Sequence, residues 1–322
     1  MTMQRLHIRE YTQNDIKSIL NLFRVSFHKE VSGEWFRWKY QHSPWGTKGY
    51  VVVDDDAVVA FYGGIRLQFL FNGDRLWAYQ FCDVMTHPGY RGRLLAGKTP
   101  FVIRIARKFH EDNPMEFAFG FPSERHARLQ TMMIGGTSYS HVTVFKKELT
   151  PLDTPRLNPY RVVTGWKSID KRDIDELWQR SSRRFSLTIV KNSNYIFWRY
   201  RDSPSGSYEV IAMKSRILRK VKAFAIIKTT GNELHVLDFF IPDKRVFAHF
   251  RDAMEYSAAK KGLGSVITWT NTNEDISQSL IASGYKSFQG IPFGVRIVDE
   301  KKIQEKEFYS RYCYRMGDYD AS

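Results

Sequence analysis

The strongest constraint on how this chain can fold is that it is written twice. The residues Trp38-Lys39-Tyr40-Gln41-His42-Ser43-Pro44-Trp45-Gly46 return about half a chain later as Trp198-Arg199-Tyr200-Arg201-Asp202-Ser203-Pro204-Ser205-Gly206. Their flanks follow in the same order. Asp15-Ile16 and Asp173-Ile174 each open an apolar helical stretch ahead of the box. Phe81-Cys82-Asp83-Val84-Met85-Thr86-His87-Pro88 faces Val236-Leu237-Asp238-Phe239-Phe240-Ile241-Pro242. Glu116 to Phe121, with the helix after it, faces Ser265 to Thr270 with its helix from Asn273 to Gly284. A collinear repeat on this scale means two units of one ancestry. The 322 residues divide into units of roughly 150, the usual domain size. The expected units are 1–150 and 160–322, joined by a linker in which Pro151, Pro155 and Pro159 interrupt any regular element.

Hydrophobic residues make up 43% of the chain and aromatic ones 15%, enough for packed cores in both units and too much for disorder. No apolar run approaches the roughly 20 residues of a membrane-spanning helix, and Met1 to Glu10 is polar; a cytoplasmic location is expected. Two cysteines, Cys82 and Cys313, offer neither a disulfide framework nor metal spacing, and the nine histidines show no ligand pattern, so no metal is expected. The net charge of +15 gathers at Arg91 to Lys98, Arg104 to Lys108, Arg180 to Arg184 and Lys214 to Lys222. A surface of this kind attracts polyanions, among them phosphate-bearing cofactors, acidic carrier proteins and tRNA.

Within the first half, Leu6 to Arg9 reads as a strand. Asp15 to His28 reads as a helix with Ile16, Ile19, Leu20, Leu22 and Phe23 at helical spacing. Trp35 to Tyr40 is a short second helix stopped by Pro44 and Gly46. Tyr50–Val53, Val58–Leu70 and Leu76–Met85 are strands. The turns Asp54-Asp55-Asp56 and Asn72-Gly73-Asp74 between them are short enough to make the strands antiparallel. A loop, a helix over Thr99 to His110, a strand over Met115 to Phe121, a helix from Glu124 to Ile134 and a strand over Ser140 to Glu148 complete the unit. The class is α/β (α+β), each half a mixed, mainly antiparallel sheet flanked by helices.

That order, with a basic glycine-bearing loop between the fourth strand and the third helix, resembles the GNAT acyltransferase superfamily, here as a tandem bacterial form with a degenerate second domain. The family carries an Arg/Gln-x-x-Gly-x-Gly/Ala loop at this point, whose exposed amides at a helix N-terminus hold the pyrophosphate of acyl-CoA. This chain reads Arg91-Gly92-Arg93-Leu94-Leu95-Ala96-Gly97-Lys98, with Arg91 and Ala96 matching and Leu94 where the family prefers glycine. The resemblance implies acetyl-CoA or another acyl-CoA as cosubstrate, bound by these eight residues and by the strand backbone of Val84, Met85 and Thr86. The corresponding second-half stretch, Ile241 to Phe247, has no glycine, so one donor site per chain is expected, in the first half.

Asp83 lies in an apolar strand beside Val84 to Thr86, where desolvation raises a carboxylate's pKa and suits it to act as a base toward an ammonium nucleophile; Asp238, in the equivalent place, speaks equally for a structural carboxylate. The family's thiolate-protonating tyrosine has no counterpart at Thr131 or Leu280, and Tyr139, just past the helix, is the substitute candidate acid. The aromatic box can line an acceptor site, although its presence in both halves favours packing. The implied reaction is acyl transfer, as an acetyltransferase, from acyl-CoA to a small-molecule amine such as an amino sugar or amino acid. The alternatives are a transferase of the same fold using an acyl carrier protein or aminoacyl-tRNA, and a non-catalytic binding protein descended from one.

Overall fold

The computed structural model describes residues 6–320 except 56, 93, 96–98, 125–126, 128–137, 151–158, 205 and 219. The first half runs β1 (His7–Glu10), α1 (Ile16–Phe27), α2 (Gly33–Gln41), β2 (Thr47–Asp54), β3 (Ala57–Phe71), β4 (Asp74–Thr86), a small hairpin of β5 (Leu94–Leu95) and β6 (Thr99–Pro100), α3 (Phe101–Asp112), β7 (Phe117–Gly120) and β8 (Ser138–Glu148). Local chemistry accounts for the boundaries. Ile19, Leu22 and Phe23 form the buried stripe of α1, which ends at His28 in a left-handed conformation. Ser32 caps α2 by accepting a bond from the Trp35 amide at 3.0 Å. Asn72 and Gly73 both take positive φ, as the two-residue turn between β3 and β4 demands. The helix expected from Thr99 begins instead at Phe101: Pro100 holds Thr99 extended and stands at the cap of α3. The helix expected over Glu124 to Ile134 lies largely outside the described residues.

The second half repeats the order: β9 (Tyr160–Thr164), α4 (Lys171–Ser182), β10 (Leu187–Ile189), α5 (Ser193–Ile196) running into a π-helical turn (Phe197–Arg201), β11 (Glu209–Ser215), β12 (Val221–Thr230), β13 (Glu233–Phe240), α6 (Lys244–Lys260), β14 (Ser265–Trp269), α7 (Asp275–Ile281) and β15 (Lys286–Ile297). Helix α8 (Glu305–Arg311) and a C-terminal tail follow. All these strands except the small hairpin belong to one 13-stranded sheet in the order β1-β2-β3-β4-β7-β15-β8-β14-β13-β12-β11-β9, with β10 added to the end of β3. The pairs β4·β7 and β13·β14 are parallel and the others antiparallel. Each half gives its last strand to the other. β15 pairs with β7 through Gly294↔Gly120 to Ile297↔Phe117, β8 pairs with β14 through Ser265↔Glu148 to Trp269↔Val144, and β8 and β15 pair with each other at the centre.

Three apolar clusters follow from this arrangement. Helix α3 covers one outer face with Phe101, Ile105 and Phe109 against Tyr62 and Tyr79, and α6 covers the other with Val246, Phe250 and Met254. The inner faces share one core, to which both halves contribute. At its middle the repeated box meets itself. Trp38 and Trp198 stack at 5.6 Å, the Trp38 Nε1–H donates to the carbonyl of Trp198 at 2.6 Å, and the Trp198 Nε1–H returns the bond to Trp38 at 2.9 Å. Equivalent residues exchanging equivalent bonds make this a local two-fold contact.

The C-terminal tail threads between the halves. The Cys313 amide donates to Leu187, the Gln80 side chain donates to the carbonyl of Asp318 at 2.7 Å, and the Arg199 guanidinium donates to the carbonyls of Gly317 and Tyr319. Gly317 is wedged so closely that a Cβ there would fall 1.9 Å from the Tyr200 hydroxyl and 2.7 Å from an Asp238 oxygen. Gly317→Ala is therefore expected to cost about 1–3 kcal/mol of stability through overpacking. Chemical denaturation measures it; a variant as stable as the parent would show that the tail is not seated as described.

Candidate functional site

The fourth strand carries an irregularity that the sequence does not announce. Gly63 pairs with Cys82 and Phe61 with Met85, so Asp83 and Val84 together face Tyr62. This is a β-bulge, and Asp83 takes a left-handed φ of 52° to make it. For a residue other than glycine that conformation costs on the order of 1–2 kcal/mol, less for Asp than for most. The bulge shifts the alternation of side chains, so that Cys82 and Met85 both reach the shared core, with Asp83 beside Met85 in one crevice. Strand β4 pairs with β7 only at Ala78, Tyr79 and Gln80. From Phe81 to Thr86 its outer edge has no strand partner among the described residues.

Asp83 points toward α2. Its carboxylate accepts a bond from the Tyr40 hydroxyl at 2.8 Å and pairs with the Lys39 ammonium at 2.8 Å; Lys39 pairs also with Asp320 of the tail at 2.5 Å. The Lys39 side chain is 1% exposed, and the ring of Trp35 faces its ammonium at 4.7 Å. Burial alone would lower the Lys39 pKa, but the charges of Asp320 and Asp83 overcome it and raise the pKa, so the ammonium stays charged. Burial pushes the Asp83 carboxyl up, Lys39 pulls it back and Asp320 pushes it up again. Ile19, Leu20, Phe23, Trp35, Phe36, Phe61 and Met85 line a narrow apolar crevice around Asp83 and Tyr40. Potential metal-ligand atoms of Cys82, Asp83 and Asp320 lie within 4.8 Å of one another, and Lys39 already sets a cation against both carboxylates.

The second half builds the same device from partly different positions. Asp238 accepts a bond from Tyr200, pairs with Lys191 at 2.5 Å, and Lys191 pairs with Asp318 at 2.5 Å. Lys191 does not occupy the repeat position of Lys39. That position is Arg199, which turns to the same tail and approaches Asp320 at 3.4 Å. The Asp238 side chain is 1% exposed against 10% for Asp83, because Gly317 and Asp318 close over it. It also lacks the left-handed backbone; the register slip in β13 falls at Leu237 instead. Lys39 and Asp320 were missed by the sequence reading. The available signals were a lysine set among four aromatic residues and an Asp-Tyr-Asp in the tail.

The remaining expected residues spread along the loop. Pro88–Tyr90 forms a 3-10 turn, the Tyr90 hydroxyl donates to Asp54 at 2.5 Å, and the Arg91 side chain donates to the carbonyl of Thr86 at 3.2 Å. Gly92 has φ 80° and open space around it. Leu94 and Leu95 form β5 against Thr99 and Pro100; Arg93, Ala96, Gly97 and Lys98 lie outside the described residues. No side chain caps α3. At the corresponding point of the second half Asp243 accepts a bond from the Arg245 amide at 2.9 Å, so α6 begins on its own carboxylate. Tyr139, in β8 opposite Gly294, is half-buried, and burial raises its pKa; burial likewise raises that of Tyr62, to which the nearby Tyr139 adds a small part.

Comparison with known proteins bears on this geometry. Residues 7–127 match the family model described as acetyltransferase (GNAT) domain. A conserved protein of unknown function from Enterococcus faecalis, described as a probable N-acyltransferase, aligns with a TM-score of 0.73 at 14% identity over 94% of this chain and 75% of its own. A GCN5-related N-acetyltransferase from Kribbella flavida aligns at 0.67 and 15% identity over 92% and 72%, and one from Anabaena variabilis at 0.67 and 11% over 91% and 73%. At such identities the likeness is one of fold. No protein of curated function matches the sequence.

Replacing Lys39 by Met would leave Asp83 buried with no cation, beside an Asp320 that keeps only Arg199 at 3.4 Å. Breaking a buried pair from one side costs about 3–5 kcal/mol. Asp83, already raised by burial, would then lose the cation that pulls its pKa back, so the variant loses further stability as pH rises through the unfolded carboxylate range and above it. Denaturant titrations at pH 5 and pH 8 should show a larger deficit at pH 8; equal deficits would mean that Lys39 acts by packing alone.

Proposed function

We propose that this chain, whose residues 7–127 match the family model described as acetyltransferase (GNAT) domain, is a GNAT-type acyltransferase that moves an acyl group from acyl-CoA to a small-molecule amine, such as an amino sugar or amino acid, at the bulge of β4. The observation that carries this reading is Asp83, held left-handed beside an unpaired strand edge and neutralised on one side only by Lys39. The edge from Phe81 to Thr86 fits a ligand with amide groups of its own, and Val84, Met85 and Thr86 would pair with the pantetheine arm. The uncapped start of α3 supports a pyrophosphate site there, for which Arg91, Gly92, Arg93, Leu94, Leu95, Ala96, Gly97 and Lys98 of the preceding loop are the proposed ligands. Bound there, acyl-CoA supplies an acyl group on a thiolate leaving group.

Asp83 takes a proton from the acceptor's ammonium and so frees its lone pair to form the new C–N bond. A backbone amide of the bulge donates to the carbonyl oxygen as charge builds on it. Tyr139, kept protonated by its raised pKa, gives its proton to the departing sulfur as the C–S bond breaks and the C=O reforms, and the tyrosinate is reprotonated by the second hydrogen that the new amide nitrogen sheds. We take 1–150 as the unit that binds acyl-CoA and 160–322 as a degenerate one. Asp243 on α6 and the tail over Asp238 support that division.

Asp83→Asn keeps the shape and removes the base, so acyl transfer should fall roughly 10²-fold or more while donor affinity changes little. Unchanged turnover with lowered stability would make the carboxylate structural. Calorimetric titration should find one CoA per chain, and Gly92→Asp should abolish its binding by setting a carboxylate where the pyrophosphate must approach. Two CoA per chain, or none, would reject the assignment, the latter in favour of a carrier-protein or tRNA donor.

A further inference from the structure

The basic run from Lys214 to Lys222 takes no part in this chemistry. It forms the hairpin joining β11 to β12, near the end of the sheet opposite to β4. Lys214-Ser215-Arg216-Ile217-Leu218-Arg219-Lys220-Val221-Lys222 contains five basic residues and no acidic one. At its tip two aliphatic side chains stand in solvent, Ile217 at 90% exposure and Leu218 at 73%. No other large hydrophobic among the described residues is as exposed. The tip is built: the Ser215 amide donates to Lys220 at 2.9 Å, and the Leu218 amide donates to the Ser215 hydroxyl at 3.3 Å. Beside it, exposed Arg161 of the edge strand β9 stands opposite Lys214. Among the acidic groups facing the patch are Asp173 and Glu176 of α4, and Glu176 is shared between Lys220 and Arg172.

We propose that this hairpin docks the protein on an anionic lipid surface, with Ile217 and Leu218 entering the interfacial layer and Lys214, Arg216, Lys220 and Arg161 meeting the lipid phosphates. A two-residue aliphatic tip is far smaller than the roughly 800 Å² per partner of a stable protein interface. A single-stranded nucleic acid would use the cations, but it also takes up aromatic side chains by stacking, and the run from Lys214 to Lys222 has none. An anionic bilayer offers both negative phosphates and an apolar layer beneath them. The association is peripheral, since no helix among the described residues is long and apolar enough to cross a membrane.

The test is sedimentation of the full chain with vesicles of phosphatidylcholine alone and of phosphatidylcholine with phosphatidylglycerol, at low and high salt, beside a tRNA-binding titration. The unmodified protein should bind the anionic vesicles, lose that binding as salt rises and ignore the neutral ones. Ile217→Ser with Leu218→Ser, both on solvent-exposed side chains and so harmless to folding, should weaken vesicle binding about tenfold or more. As a second measurement, Ile217→Cys labelled with an environment-sensitive fluorophore should shift to the blue on anionic vesicles, labelling being selective because Cys82 and Cys313 are buried. Failure of the unmodified protein to bind anionic vesicles, a double variant that binds undiminished, an unshifted fluorophore, or binding to tRNA without binding to vesicles would each overturn the proposal.

Discussion

Two lysine ammoniums buried in an aromatic interior have to be neutralised, and much of the structure serves that need. Lys39 and Lys191 each lie between a carboxylate on a fourth strand, Asp83 or Asp238, and one from the C-terminal tail, Asp320 or Asp318. Pairs of this kind repay desolvation poorly and are weak sources of stability, yet removing one partner is costly. Their effect here is therefore on uniqueness. The tail has to reach both clusters, and with Asp318 and Asp320 two residues apart it can do so only by running along the seam between the halves. That path sets Gly317 under Tyr200 and aligns the backbone carbonyls that Arg199 and Gln80 bind.

The exchange of last strands has a matching cause. A central strand must find hydrogen-bond partners on both edges. In each half the strand after the third helix, β7 or β14, pairs with its own fourth strand on one side and with the other half's last strand on the other. The two halves thus complete one another's sheet, and the reciprocal tryptophan bonds lock them at the pseudo-two-fold axis. Neither half has a full set of partners without the other, which makes cooperative unfolding of the whole chain the natural consequence.

Against that symmetry, the halves differ at the carboxylate of the fourth strand and at the start of the third helix. Asp83 sits at a bulge in a strained conformation, while Asp238 is sealed by the tail. Helix α3 begins without a capping side chain, while α6 begins on Asp243. In the second half the chain supplies its own groups at the places where the first half leaves them open.

The class of the fold, most of the element order of the first half and the turn residues were legible in the sequence. These rest on local patterns: helical spacing in α1, positive-φ residues at Asn72-Gly73, and the repeated box. It also picked out Asp83 as a carboxylate in an apolar strand. That β8 and β15 change places, that Asp83 lies at a bulge, and that Lys39 joins it to Asp320 came from the packing of the whole chain. Each of those depends on partners far apart in the chain. A strand exchange leaves every local period unchanged, a bulge shows only in the register against a neighbour, and an ion pair between residues 39 and 320 leaves no trace in the spacing of either.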